Sequence, residues 1–237
     1  INITDEQREA FISQYDPQTV EYRRKIKGER SVAEGLVFQQ FADNPQRFTV
    51  EKKYSSIKFI SIGVDFGGNG SKTTFVASAI LGNFQQLGVV ADYKIQGGKR
   101  TIDTDLICRE LMTFYKYVKA EYPNVRIPYI FCDCTEQTLI TSILFYFRRN
   151  QIPIEIKDSY KGTINNRIFA LNSLMTQGRF FVYKDCNNVK DSLSSQVWDT
   201  KDPTKDVRLD DGTYDIDTAD ALEYSFSSFI KYFNVMG

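Results

Sequence analysis

The rhythm of apolar and polar positions changes along this chain, and the changes divide it. Residues 1 to about 56 hold no long apolar run and are rich in charge, as in Asp5-Glu6-Gln7-Arg8-Glu9 and Glu21-Tyr22-Arg23-Arg24-Lys25. Thr4, just before Asp5, is placed to cap a short helix. The stretch reads as a helical and irregular arm or linker that ends near Lys52-Lys53. From Ile57 the pattern turns to strands. Residues 57–65 are mostly apolar and end in a carboxylate, residues 73–80 are β-branched and alternating, and residues 87–95 run into the turn signal Gly97-Gly98. Three such runs in close succession predict an antiparallel meander.

Helix and strand patterns then alternate. Residues 104–119 put Leu106, Ile107, Leu111, Phe114, Tyr115 and Val118 on one helical face. After Pro123 and Pro128, residues 129–132 form a short apolar run that ends at Asp133. Helices are expected over 138–149, 165–177 (closed by Gly178), 189–197 and 218–233, and strands over 152–156 and 179–183. A meander followed by helix–strand alternation predicts an α/β domain over residues 57–237. Its mixed sheet, antiparallel first and then parallel, would be covered by helices.

Composition sharpens this picture. Hydrophobic residues make up 42% and aromatics 14% of 237 residues, which supports a sizeable core. Thirty basic residues balance thirty acidic ones, so no chain-wide basic footprint for nucleic acid exists. There is no histidine, which removes Ser-His-Asp and Cys-His catalysis and histidine-based zinc sites. Cys108, Cys132, Cys134 and Cys186 form no CxxC pair and read as free thiols of a reducing compartment. No run is long and apolar enough to span a bilayer and no signal peptide is visible, so a soluble intracellular protein without a membrane partner is expected. The chain begins at Ile1, which fits a piece of a longer protein as well as a processed one.

Candidate chemistry rests on carboxylates. Asp65 closes an apolar strand in Gly63-Val64-Asp65-Phe66-Gly67, and Asp133 closes another in Phe131-Cys132-Asp133. Asp217 and Asp220 lie three apart near the start of the last helix and share a face. Carboxylates converging from two strand ends and a helix start are the oxygen ligands that a pair of Mg²⁺ or Mn²⁺ ions needs. The plainer alternative is that Asp133 caps a helix and that Asp217 and Asp220 complement a helix N-terminus. Gly67-Gly68-Asn69-Gly70-Ser71-Lys72-Thr73 looks like a phosphate-binding loop, but it lacks the glycine before Lys-Thr and precedes a strand. It reads as a hairpin turn.

Four stretches, taken in order, resemble the nuclease part of phage terminase large subunits. They are Ile62-Gly63-Val64-Asp65-Phe66-Gly67; Asp133-Cys134-Thr135-Glu136; a run from Lys161-Gly162-Thr163-Ile164 through Gln177-Gly178-Arg179 and Cys186-Asn187-Asn188 to Gln196-Val197-Trp198-Asp199; and Asp217-Thr218-Ala219-Asp220-Ala221-Leu222-Glu223-Tyr224. Ahead of them, Arg23-Arg24 through Gly28-Glu29 to Glu34-Gly35-Leu36-Val37-Phe38 resembles the segment that ends the family's ATPase half. The resemblance implies a ribonuclease H-like fold and a two-metal endonuclease acting on double-stranded, concatemeric viral DNA during packaging. It implies Asp65, Asp133 and Asp220 as metal-binding acids and Asp217 as a fourth ligand or proton-transfer residue. Glu223 departs from the family's usual Arg and is expected on the helix exterior. In the full protein the resemblance implies an ATPase half, a portal protein and a small terminase subunit as partners, in the host bacterial cytoplasm. The chain itself has no Walker A motif.

For phosphate contacts the candidates are Lys161, which matches the family's Lys-Gly loop, and Lys72, in the turn beside Asp65. Lys99, Arg100, Lys157 and Arg167 are weaker candidates, and Phe145, Tyr146, Phe147, Phe169, Phe180 and Phe181 follow core spacing. A junction resolvase or transposase core would share the acids. A nucleotide-binding relative of the same fold, as in sugar kinases, would share the Gly-x-Asp-x-Gly strand end.

Overall fold

A computed structural model describes residues 4–28, 35–51, 56–67, 72–95, 102–160, 162–201 and 206–235. In chain order the helices are α1 (Asp5–Ile12), α2 (Val20–Lys25), α3 (Gln39–Asp43), α4 (Pro45–Phe48), α5 (Thr104–Glu121), α6 (Gln137–Arg149), α7 (Ile164–Thr176), α8 (Asn187–Ser195) and α9 (Ile216–Ser227). The strands are β1 (Thr49–Val50), β2 (Ile57–Asp65), β3 (Thr73–Leu81), β4 (Gln86–Ile95), β5 (Tyr129–Cys132), β6 (Glu155–Asp158) and β7 (Phe180–Tyr183). They form one sheet in the order β1-β7-β4-β3-β2-β5-β6.

The meander is present: β2 pairs antiparallel with β3, and β3 with β4. The pairs β2–β5, β5–β6, β4–β7 and β7–β1 are parallel. This is the mixed, helix-flanked α/β sheet that the pattern predicts. All nine residues of β3, the central strand, are buried.

Side-chain parity decides which helix covers which face. Gly63 is opposite Val76 in the ladder, so Ser61, Gly63 and Asp65 share a face with Thr74, Val76 and Ser78. α9 covers that face. The Ser61 hydroxyl donates to the Ser225 carbonyl at 2.6 Å, and the Thr74 hydroxyl donates to the Asp217 carbonyl at 3.0 Å. Phe75 points the other way, and its ring lies 5.9 Å from that of Phe114 on α5.

Three expected elements differ in extent. The helix expected over 189–197 is α8, at 187–195, which ends early because Val197 turns to bridge Leu36. The strand expected over 152–156 is β6, at 155–158. Pro153 has no N–H to give a ladder, and the Ile152 amide turns back to the Phe147 carbonyl, so pairing starts only after the turn. The last helix ends at Ser227, and a short 3₁₀ turn, Ile230–Phe233, follows it.

Residues 35–51, inside the stretch expected to be a linker, pack into the core. Phe38 and Phe41 are completely buried and Phe48 nearly so. Phe41 and Phe48 stack at 5.3 Å, and β1 adds two residues to the sheet edge beside β7. α1 is different: it has a Thr4 capping box, as the sequence suggests, and none of its residues is buried. Phe145, expected in the core, is instead 60% exposed, on the outer face of α6.

Candidate active site

Because β2, β5 and β6 run parallel, their C-terminal ends share one edge of the sheet. Asp65 is the last residue of β2, and the Asp133 amide donates to the Val64 carbonyl at 3.1 Å, so the two strand-end acids are neighbours. Parity turns Asp65 toward α9. Its ladder partner Thr74 bonds the Asp217 carbonyl, and the Lys72 amide donates to the Asp217 carboxylate at 3.3 Å. The first turns of α9 are thereby tied to the end of β2.

The electrostatics follow from this placement. Asp65 is 7% exposed, and its carboxyl is held well above the usual carboxylate range. Burial is the largest cause, and the charges of Asp220, Asp217 and Asp133 add to it in that order. The carboxyl of Asp217 is also raised, by burial first and then by Asp215, Asp220 and Asp210. Two strand-end acids and two helix-start acids are therefore close enough for their charges to act together. Buried Tyr224 belongs to the same environment, because burial and the charges of Asp220, Asp65 and Asp133 push its hydroxyl far up.

The plainer alternatives fare differently. Asp217 does lie in the first turn of α9, where it complements the helix N-terminus, but it is not the cap. Asp215, not Asp217, is the N-cap of α9: its carboxylate accepts from the Thr218 amide and hydroxyl, and it pairs with Lys94. Asp133 does not cap α6, whose N-cap position is Glu136; it accepts the Thr135 amide in a tight turn.

Asp220 has a distinct setting. Arg208 donates to Asp220 Oδ1, and Arg167 Nη2 lies 3.7 Å from the same oxygen. The two arginines also hold Glu223: Arg167 Nε donates to Oε2 at 2.7 Å and Arg208 Nη1 to Oε1 at 2.9 Å. Glu223 is therefore completely buried rather than on the helix exterior, because a fully buried carboxylate persists only with such partners. Arg167, a candidate for DNA contact, is 5% exposed and committed to this network. Lys72 is exposed at the rim beside Asp217. Lys157 is engaged by Glu155 at 2.7 Å, while Lys161, Lys99 and Arg100 lie outside the described residues.

The donor set suits a hard divalent cation, being four carboxylates with no sulfur or imidazole. Among the described residues, no three acids, cysteines or histidines are gathered into a ready metal-binding group.

Glu223, Arg208, Asp215 and Tyr224 are not singled out by sequence pattern. Glu223 had one usable signal, since it lies three residues after Asp220 and so shares its helical face. Arg208 had none.

The sequence matches no family model and no curated protein. Solved structures similar to this chain include phage large terminases. The large terminase of the thermophilic bacteriophage D6E superposes with a TM-score of 0.77 at 18% identity, covering 97% of this chain and 52% of that one. The P22 large terminase nuclease domain gives 0.60 at 11% identity, covering 82% and 93%. The large terminase nuclease domain of bacteriophage SPP1, solved with bound Mn, gives 0.51 at 14% identity, covering 76% and 96%. The chain thus shares the fold of these terminase nuclease domains and spans about half the length of the D6E protein. Among the described residues, no helix is long and apolar enough to cross a membrane.

Proposed function

We propose, from this shared fold, that the domain is a metal-dependent endonuclease that cuts double-stranded viral DNA during genome packaging. What supports the reading is the end of β2. There Asp65 is buried, the Asp133 amide bonds the neighbouring Val64 carbonyl, and Thr74 and Lys72 tie the start of α9 to the strand. Burial first, and then the charges of Asp220, Asp217 and Asp133, oppose the ionisation of Asp65. Acids gathered around one buried carboxylate are stabilised by cations. Asp65, Asp133 and Asp220 would hold two Mg²⁺ or Mn²⁺ ions, with Asp217 completing a shell or moving a proton. The Mn reported for the SPP1 nuclease domain supports this choice of ion. When bound, such ions polarise a phosphodiester and supply a hydroxide-like nucleophile near neutral pH.

The protein's own groups do the rest. Burial of Asp65 excludes water from one side of the site. The Lys72 amide and Thr74 hydroxyl fix the helix turn that carries Asp217. Lys72 and Lys161 would contact phosphates, which carry no base identity, so cutting should be largely independent of sequence. In a longer protein the domain would follow an ATPase half and work with a portal protein and a small terminase subunit in the host bacterial cytoplasm. Residues 1–56 would span the end of that ATPase half, with residues 35–51 packed onto the nuclease domain.

The direct test is supercoiled plasmid incubated with the protein and Mn²⁺ or Mg²⁺, with and without EDTA. Nicking and linearisation that EDTA abolishes are expected. Metal-independent cutting, or none with any divalent ion, would refute the reading.

A further inference from the structure

We infer that Glu223 is a charge-balancing and positioning residue for Asp220, acting through Arg208 and Arg167. The inference rests on the metal-dependent reading above. Asp220 faces two guanidinium groups, and both approach the same oxygen, Oδ1. With those groups alone, the locality would carry one excess positive charge and would repel a divalent cation. Glu223 removes the excess. Its two oxygens each take one arginine, so two carboxylates stand against two guanidiniums. Asp220 is then held firmly by one oxygen, and its charge is shared rather than cancelled. Asp220 remains the acid whose charge acts most strongly on Asp65.

The arrangement is built for rigidity. Glu223, Arg208 and Arg167 are 0%, 3% and 5% exposed, so their interactions are weakly screened. Arg208 lies ahead of α9 and also donates to Gln196 Oε1 at 3.2 Å, while Arg167 donates to the Gly162 carbonyl at 2.9 Å. The network therefore joins α7, α9 and the segment between α8 and α9 at one acid. Groups that orient a metal ligand from behind typically change metal affinity about 10- to 100-fold when removed.

The test uses Mn²⁺ binding measured by calorimetry on the whole chain, with melting temperature read in parallel. Glu223→Gln keeps the shape but leaves two arginines against Asp220, and Mn²⁺ affinity is expected to fall about tenfold or more. Adding Arg167→Gln to Glu223→Gln restores the one-to-one balance, and affinity should return to within about threefold of wild type. Arg167→Gln alone leaves negative charge in excess and should bind Mn²⁺ at least as tightly as wild type. It also serves as the reference if Glu223→Gln fails to fold. A merely structural role predicts the opposite order, because each further loss of a buried partner would make binding and melting worse. Unchanged affinity in Glu223→Gln, no recovery in the double variant, or weaker binding in Arg167→Gln would each overturn the inference. Wild type that binds no Mn²⁺ would overturn the metal-dependent reading itself.

Discussion

A side chain on Gly63 would collide with Ala221: an added Cβ would lie 1.8 Å from the Ala221 carbonyl oxygen and 2.7 Å from the Ser225 amide nitrogen. Both are backbone atoms of α9, so neither can rotate away. Only hydrogen at Gly63 lets the helix settle on β2, and that settling brings Asp217 and Asp220 to Asp65. Gly63→Ala should lift α9 off the sheet, lower stability by about 1–3 kcal/mol and reduce cutting more than tenfold. Urea unfolding beside a nicking assay checks this, and wild-type values in both would refute the packing argument.

Asp65→Asn should separate stability from activity. The raised carboxyl of Asp65 means that the folded protein favours its protonated form. The stability it contributes is present below the unfolded-state value of about 3.8 and is lost as pH rises through the folded one. At pH 7 in EDTA, Asn should therefore melt at a higher temperature than Asp, and the gap should shrink as the pH is lowered. Cleavage in Mn²⁺ should vanish. A lower melting temperature for Asn in EDTA at pH 7 would contradict the assigned burial and charge.

Asp220 should outrank Asp217. Asp220 is held by two arginines and acts most strongly on Asp65, whereas Asp217 is half-buried and held by the Lys72 amide. Asp220→Asn should lose Mn²⁺ binding at one site and nearly all cutting. Asp217→Asn should slow cutting while keeping measurable affinity. Calorimetry with parallel rates decides between them, and the reverse ranking would mean that Asp217 is the principal ligand.

Truncation should give two outcomes. A chain beginning at Gly35 loses α1, with no buried residue, the short α2 and one buried ring, Tyr15 against Phe169, and should still fold with a lowered melting temperature. A chain beginning at Ser56 also loses Phe38, Phe41 and Phe48 and should not fold. Phe38→Ala alone should cost about 3–5 kcal/mol. Cooperative melting of the shorter chain near the wild-type temperature would refute the packing of residues 35–51.

The meander, the later strands and the strand-end acids were legible because each is local, whereas the two-residue β1 was not. A period-two pattern declares a strand, and a carboxylate at its end is visible in one short window. The arginine–carboxylate network was not legible, because its bonds join residues 56 and 15 apart in sequence and no local pattern marks a buried pair. Glu223, a departure from the family's usual Arg, was expected on the helix exterior; its partners reverse that. Phe38, Phe41 and Phe48 were missed for a similar reason. Phe41 and Phe48 lie on helices of five and four residues, and Phe38 stands just before the first, so the segment is too short for a periodic face to appear. Asp215 was passed over in favour of Asp217 and Asp220, and only the backbone geometry shows which acid caps the helix.

The position of α9 along the chain has a consequence for biogenesis. Asp65 and Asp133 belong to strands that leave the ribosome early, but Asp217 and Asp220 follow every strand of the sheet. Domains are generally made and folded from the N-terminal side, so the sheet can form before the helix exists. Until α9 docks over Gly63, half of the acid set is missing from the edge. Competence to cut nucleic acid would then arise late in synthesis, and a nascent chain arrested before residue 217 would be inert toward DNA.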